Sequence, residues 1–129
     1  VEKALSEAAS ENDILVFDFT VAPYFEESKG SGGHEWLIAL NAENENQIHT
    51  LEAAIESNMK SLNVDYEGKR KDSINMLAPK FSYVQKNIFE RWLKKKNKLG
   101  GQHKIPRVQN DRIFIEELLE IAQEDSRIR

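Results

Sequence analysis

Cysteine is absent from this chain. That excludes a disulfide framework and any thiolate metal site, and it suits a reducing, cytoplasmic compartment. No apolar run approaches the ~18 residues of a membrane span. The opening Val1-Glu2-Lys3-Ala4-Leu5 lacks the charged-then-apolar order of a signal peptide, so no membrane location is expected. An initiator methionine is missing too, and the expectation is an excised piece of a longer polypeptide. A basic excess is lacking: the formal net charge is −4, which argues against a general nucleic-acid binder. Glycine is scarce and falls mainly in two runs, Gly30 to Gly33 and Gly100-Gly101.

What remains is the composition of one globular domain spanning 1–129. A chain of this length buries roughly two-thirds of its unfolded surface, enough for a core without staples. Charge is uneven along it. Acidic residues dominate positions 1–56, and positions 68–112 hold most of the lysine and arginine, a half suited to a phosphate-bearing ligand or an acidic neighbouring domain.

The spacing predicts a short helix over 2–11, with Leu5 and Ala8 or Ala9 on one face. The β-branched and aromatic run 14–22 reads as a strand closed by Pro23. Ser28 to Gly33 reads as a flexible connection, and His34 to Leu40 alternates as a second strand, so the two form a hairpin of unreadable register. Ile48, Leu51, Ile55, Met59 and Leu62 mark an amphipathic helix over 45–62. Asn63 to Asp72 continues as a more polar helical piece. Pro79 opens a strand over 80–85. Asn87 is positioned to cap a helix whose stripe is Ile88, Phe89, Trp92 and Leu93. Asn110 or Asp111 caps a last helix striped by Phe114, Ile115, Leu118, Leu119 and Ala122, and 124–129 reads as a polar tail. The order implies an α+β fold: a small, mostly antiparallel sheet of three or more strands covered by helices.

Leu99 to Arg107 is the stretch richest in chemistry. Gly100 and Gly101 free the backbone, and Pro106 stiffens it again. Gln102, His103, Lys104 and Arg107 supply an amide, an imidazole, an ammonium and a guanidinium beside them. Such a loop can bend around an anion; the ordinary alternative is a glycine turn ending a helix, followed by a basic loop. Elsewhere the ordinary reading prevails. Lys94, Lys95, Lys96 and Lys98 cannot all point one way from a single helical turn, so they read as a solvated helix end. His34, His49 and His103 have no partner at metal-ligand spacing, and no metal is expected. No serine sits in a nucleophile elbow. Asp18, Glu26, Glu27 and Glu35 offer carboxylates without readable separations. Tyr66 and Arg70 share a helical face, with Arg70 free to meet an anion or to pair with Asp65 or Glu67. Trp36 and Trp92 are assigned to packing.

Several blocks together resemble one family. They are Asp18-Phe19-Thr20-Val21-Ala22-Pro23, His34-Glu35-Trp36-Leu37, and Leu62-Asn63 followed by Asp65-Tyr66 and Lys69-Arg70. Phe89 with Trp92, Gly100 to Arg107, and Asn110-Asp111-Arg112 complete the set. The chain resembles the C-terminal domain of the auxin-responsive-promoter family of acyl acid amido synthetases, within the acyl-adenylate-forming superfamily. It looks more like bacterial members, since plant members usually carry tyrosine where His103 stands. The resemblance implies a two-step ligase: a carboxylic acid and ATP give an acyl-adenylate, then an amino acid's amine gives an amide. It implies a partner, the N-terminal adenylation domain of the same polypeptide, which holds most of the nucleotide pocket and the Mg2+. This chain would be the lid that swings between steps, inactive alone. Lys104 matches the superfamily's catalytic lysine, and Arg107, Gly100, Gly101, Gln102 and His103 would form the nucleotide-facing loop around it. Arg107 would either clamp phosphate or fix the loop through the neighbouring domain. The alternatives are a stand-alone module for an acidic protein or a nucleic acid, and an inactive relative serving as scaffold.

Overall fold

The structure is a computed structural model that describes residues 1–42, 44–71, 75–96 and 105–128, with backbone only over 125–128. The chain order is α1 (Glu2–Glu11), β1 (Leu15–Glu26), β2 (Ser31–Asn41), α2 (Glu45–Leu62), α3 (Val64–Arg70), β3 (Lys80–Val84), α4 (Lys86–Lys95) and α5 (Ile113–Ile128). The sheet order is β1-β2-β3, with β2 antiparallel to β1 and parallel to β3.

The α+β expectation therefore holds, with one parallel pair in a mixed sheet. Helices cover both faces. On one face Phe19, Val21, Trp36 and Ile38 pack with Leu5 and Ala8 of α1, Leu51 and Ile55 of α2, and Tyr66 of α3. On the other face Ala22, Leu37 and Ala39 pack with Ile88, Phe89 and Trp92 of α4, Ile115 and Leu118 of α5, and Ile105. This explains why Trp36 to Ala39 are buried without a break: a central strand covered on both sides reads apolar throughout. Both tryptophans are packing residues, as expected. The helix over 45–62 is also as expected, begun by Asn44, whose side chain accepts a bond from the Gln47 amide.

Four boundaries differ from expectation. Pro23 does not close β1, which runs on to Glu26. The reason is that β1 is an edge strand. The Val21 N–H points outward, since it donates to Arg107, and residue 23 has the same orientation, so proline's missing donor falls outside the ladder. The connection is also shorter than Ser28 to Gly33: a helical turn at Glu27–Lys29 leads to Gly30, at φ 62°, and Ser31, Gly32 and Gly33 already belong to β2. Gly33 serves close approach, because a Cβ there would sit 2.8 Å from the Leu77 carbonyl oxygen. Helix α4 starts at Lys86 with Gln85 at its cap position, so Asn87 lies inside it. Finally, α5 extends to Ile128 in place of a polar tail. Among the described residues no helix is long and apolar enough to cross a membrane.

Candidate functional site at the root of the glycine loop

Gly100, Gly101, Gln102, His103 and Lys104 lie outside the described residues. The chain after them is described from Ile105, and it is fastened to the sheet. Ile105 is buried among α4 and α5 side chains. Beyond it the chain runs along the outer edge of β1. The Val21 N–H donates to the Arg107 carbonyl at 2.8 Å, and the Gln109 N–H donates to the Val21 carbonyl at 2.8 Å. Val21 and Val108 thus form an isolated parallel bridge.

Side chains tighten this seam. The Thr20 hydroxyl donates to the Pro106 carbonyl at 2.7 Å and accepts from Gln109 Nε2 at 2.6 Å. Thr20 is fully buried and Gln109 is buried; Gln109 Oε1 has no partner among the described residues. Arg107 Nη1 donates to Asp18 Oδ1 in an ion pair and to the Phe19 carbonyl at 3.1 Å. Asp18 Oδ1 also accepts from the Phe19 N–H at 2.9 Å. The guanidinium lies 4.7 Å from the Phe19 ring centroid. It ends an aromatic row in which Phe19, Trp36 and Phe81 follow one another at 6.2 and 6.1 Å, a geometry that favours a cation at its face. Both Arg107 bonds leave from Nη1, so Nε and Nη2 stay uncommitted among the described residues. A cavity of about 150 Å³ is lined in part by Glu2, Ser6, Asp18 and Arg107.

Arg112 continues the seam. Its Nη1 donates to the Pro23 carbonyl at 3.1 Å and its Nη2 to Glu35 at 2.8 Å, while Glu35 accepts from the Ser82 hydroxyl at 2.8 Å. Burial works against the Arg112 charge, yet bonds to Glu35 and Glu116 outweigh it and hold its pKa above the ordinary value. Asp111 accepts the Ile113 N–H, capping α5 as expected.

Blocks far apart in sequence therefore meet at one edge: Asp18 to Pro23, Glu35, Pro106-Arg107 and Arg112. Sequence reasoning singled out Arg107 but missed Thr20 and Gln109 as its companions. The available signal was a lone hydroxyl in a strand otherwise apolar from Phe19 to Ala22. Other candidates lie elsewhere. Lys94 and Lys95 are exposed on α4, and Lys96 pairs with Glu117 at 2.7 Å. Arg70 bonds Glu56 of α2 at 2.9 Å and the Met76 carbonyl at 3.1 Å. The helix turns Arg70 inward, whereas Asp65 and Glu67 are exposed. Among the described residues no three His, Asp or Glu side chains gather as a metal centre needs.

A family model described as the GH3 family C-terminal domain matches residues 1–113. Among solved structures, the chain is similar to "GH3.15 acyl acid amido synthetase", with a TM-score of 0.69 and 21% identity over 95% of this chain. It is also similar to "AtGH3.15 acyl acid amido synthetase in complex with 2,4-DB", with a TM-score of 0.68 and 20% identity over 95% of this chain. In both cases the chain spans 22% of the matched chain. No curated protein matches the chain at a significant level.

Proposed function

The chain belongs to the GH3 C-terminal domain family, and from that premise we propose that it is the pivoting lid of an ATP-dependent, cytoplasmic acyl acid amido synthetase. The lid brings a cationic loop to the adenylation site of an N-terminal domain in the same polypeptide. The observation that carries this reading is the seam along β1. The chain that follows Lys104, described from Ile105, is bonded to a strand edge by Val21, Thr20 and Asp18.

The chemistry asks for such a device. A carboxylate must approach an α-phosphate that already carries negative charge. A cation between them lowers the repulsion and stabilises charge gathering on the transition-state oxygens. In a water-poor cleft that effect is far larger than in bulk water. Lys104 is the catalytic cation of this proposal, a point charge on a long stem. Arg107 is suited to a second contact: one nitrogen holds the seam, and Nε and Nη2 remain for a phosphate oxygen. Gly100 and Gly101 permit close backbone approach, with Gln102 and His103 beside the nucleotide. ATP supplies the adenylyl group, and Mg2+ is held by the other domain. A carboxylic acid and an amino acid are the substrates.

The test is Lys104→Ala in the full-length enzyme, with the two half-reactions measured apart. Pyrophosphate exchange is expected to fall on the order of 100-fold or more, while amide formation from preformed acyl-adenylate is spared. Equal losses in both would make the lysine structural. The chain by itself is expected to show no pyrophosphate exchange above background.

A further inference from the structure

We propose that Thr20 and Asp18 are positioning residues, acting through Pro106, Arg107 and Gln109 to fix the chain that follows Lys104. The proposal rests on the functional reading above for the lysine's task, but its structural basis lies in described residues alone.

The backbone seam is slight by itself, two hydrogen bonds at Val21. What makes it specific is how the rest of the edge is occupied. The Phe19 N–H is taken by Asp18 and its carbonyl by Arg107. Pro23 has no N–H, and its carbonyl is taken by Arg112. The outer edge from Phe19 to Pro23 thus offers no open pairing position. A strand edge filled this way admits one register and no competitor.

Thr20 locks that register. One buried hydroxyl binds Pro106 and Gln109, on either side of Arg107. Valine would serve a buried strand position equally well, so the two bonds of the hydroxyl are what threonine adds. Asp18, two residues before Thr20 on the same strand, holds the Arg107 guanidinium. Lys104 precedes buried Ile105 by one peptide unit, about 3.8 Å between Cα atoms. The residue to which Lys104 is joined is therefore held by the seam.

The test compares Thr20→Val, Thr20→Ser and Asp18→Asn in the full-length enzyme, with hydrogen exchange at the Val21 and Gln109 amides as a direct reading of the seam. Thr20→Val is expected to lower kcat for pyrophosphate exchange by roughly 10- to 100-fold, the scale of a misplacement of about 1 Å. The KM values for ATP and acid should stay within about twofold, and amide formation from preformed acyl-adenylate should be spared. Thr20→Ser, which keeps the hydroxyl, should restore most of the rate. Amide exchange should quicken in Thr20→Val and Asp18→Asn but not in Thr20→Ser. Should Thr20→Val fail to fold, Asp18→Asn carries the test, since asparagine keeps the acceptor for the Phe19 N–H and loses only the charge. Normal adenylation in a variant whose seam has loosened overturns the proposal. So does an equal loss in both half-reactions that serine does not rescue. If Lys104→Ala is harmless, the functional reading itself fails; if it is harmful while Thr20→Val and Asp18→Asn are not, only this inference does.

Discussion

Two polar clusters are built from similar side chains and end differently. One lies between α2, α3 and β3. There Glu56 accepts from the Tyr66 hydroxyl at 3.2 Å and from Arg70 Nε at 2.9 Å, and Glu52 accepts from the Tyr83 hydroxyl at 2.5 Å. Burial, reinforced by the neighbouring carboxylates, pushes both tyrosine pKa values up, so the hydroxyls stay protonated and keep donating. The other cluster runs along β1 and joins residues 86 to 89 positions apart. Among the described residues it keeps an unpartnered buried oxygen on Gln109 and uncommitted guanidinium nitrogens on Arg107. A buried acceptor without a donor costs about 1–3 kcal/mol. The first cluster is what tying a helical layer to a sheet requires. The second leaves polar groups unsatisfied among the described residues, as the task proposed for this edge would require.

That contrast breaks if the α3 cluster also governs chemistry. Arg70→Met removes the main partner of Glu56, whose carboxylate is only 18% exposed. Leaving a largely buried carboxylate short of its partner is expected to cost about 3 kcal/mol, read from urea unfolding. In the full-length enzyme the ratio of the two half-reactions should not change. A selective loss of adenylation would erase the distinction between the clusters. Tyr83→Phe sharpens it on a smaller scale. One bond to a charged acceptor is lost, worth about 2 kcal/mol, again with the half-reaction ratio unchanged. A stability equal to the unaltered chain would mean that the Glu52 contact contributes nothing in solution.

How much of each cluster could be read beforehand follows from the range of the forces involved. The helix over 45–62 was legible because side-chain spacing and a cap are local properties. Phe114, Ile115 and Leu118 were legible on α5 for the same reason. Pro23 misled because its effect depends on which way residue 23 faces, and that is set by the pairing of β1 with β2, in which Pro23 stands opposite His34. The parallel pairing of β3 and the Arg70–Glu56 bond are likewise products of tertiary contact. Arg107 was picked out by its neighbours in sequence. Its partners, Asp18 and the Phe19 carbonyl, and the Thr20 hydroxyl that holds the residues on either side of it, sit on a strand whose local pattern advertises only burial.

The smallest expected effect tests whether the α3 side, away from the seam, responds to pH. His34 stands on β2 opposite Pro23 and shares a sheet face with Trp36. Burial, then the charge of Lys69 on α3, lowers its pKa below the ordinary 6.5. The sign follows directly. Above about pH 6.5 the ring is neutral both folded and unfolded and contributes no slope. As pH falls below that, the unfolded chain binds a proton that the folded one resists, so stability declines until the folded pKa is passed. One such proton gives at most about 1.4 kcal/mol per pH unit. His34→Gln should therefore flatten the loss of stability between about pH 7.5 and 5.5, measured by urea unfolding at each pH. Adenylation by the full-length enzyme should keep its pH profile, because the lysine's footing lies on the other strand edge. An unchanged stability slope would assign the acid sensitivity to other groups, and a shifted adenylation profile would tie this side of the sheet to the seam.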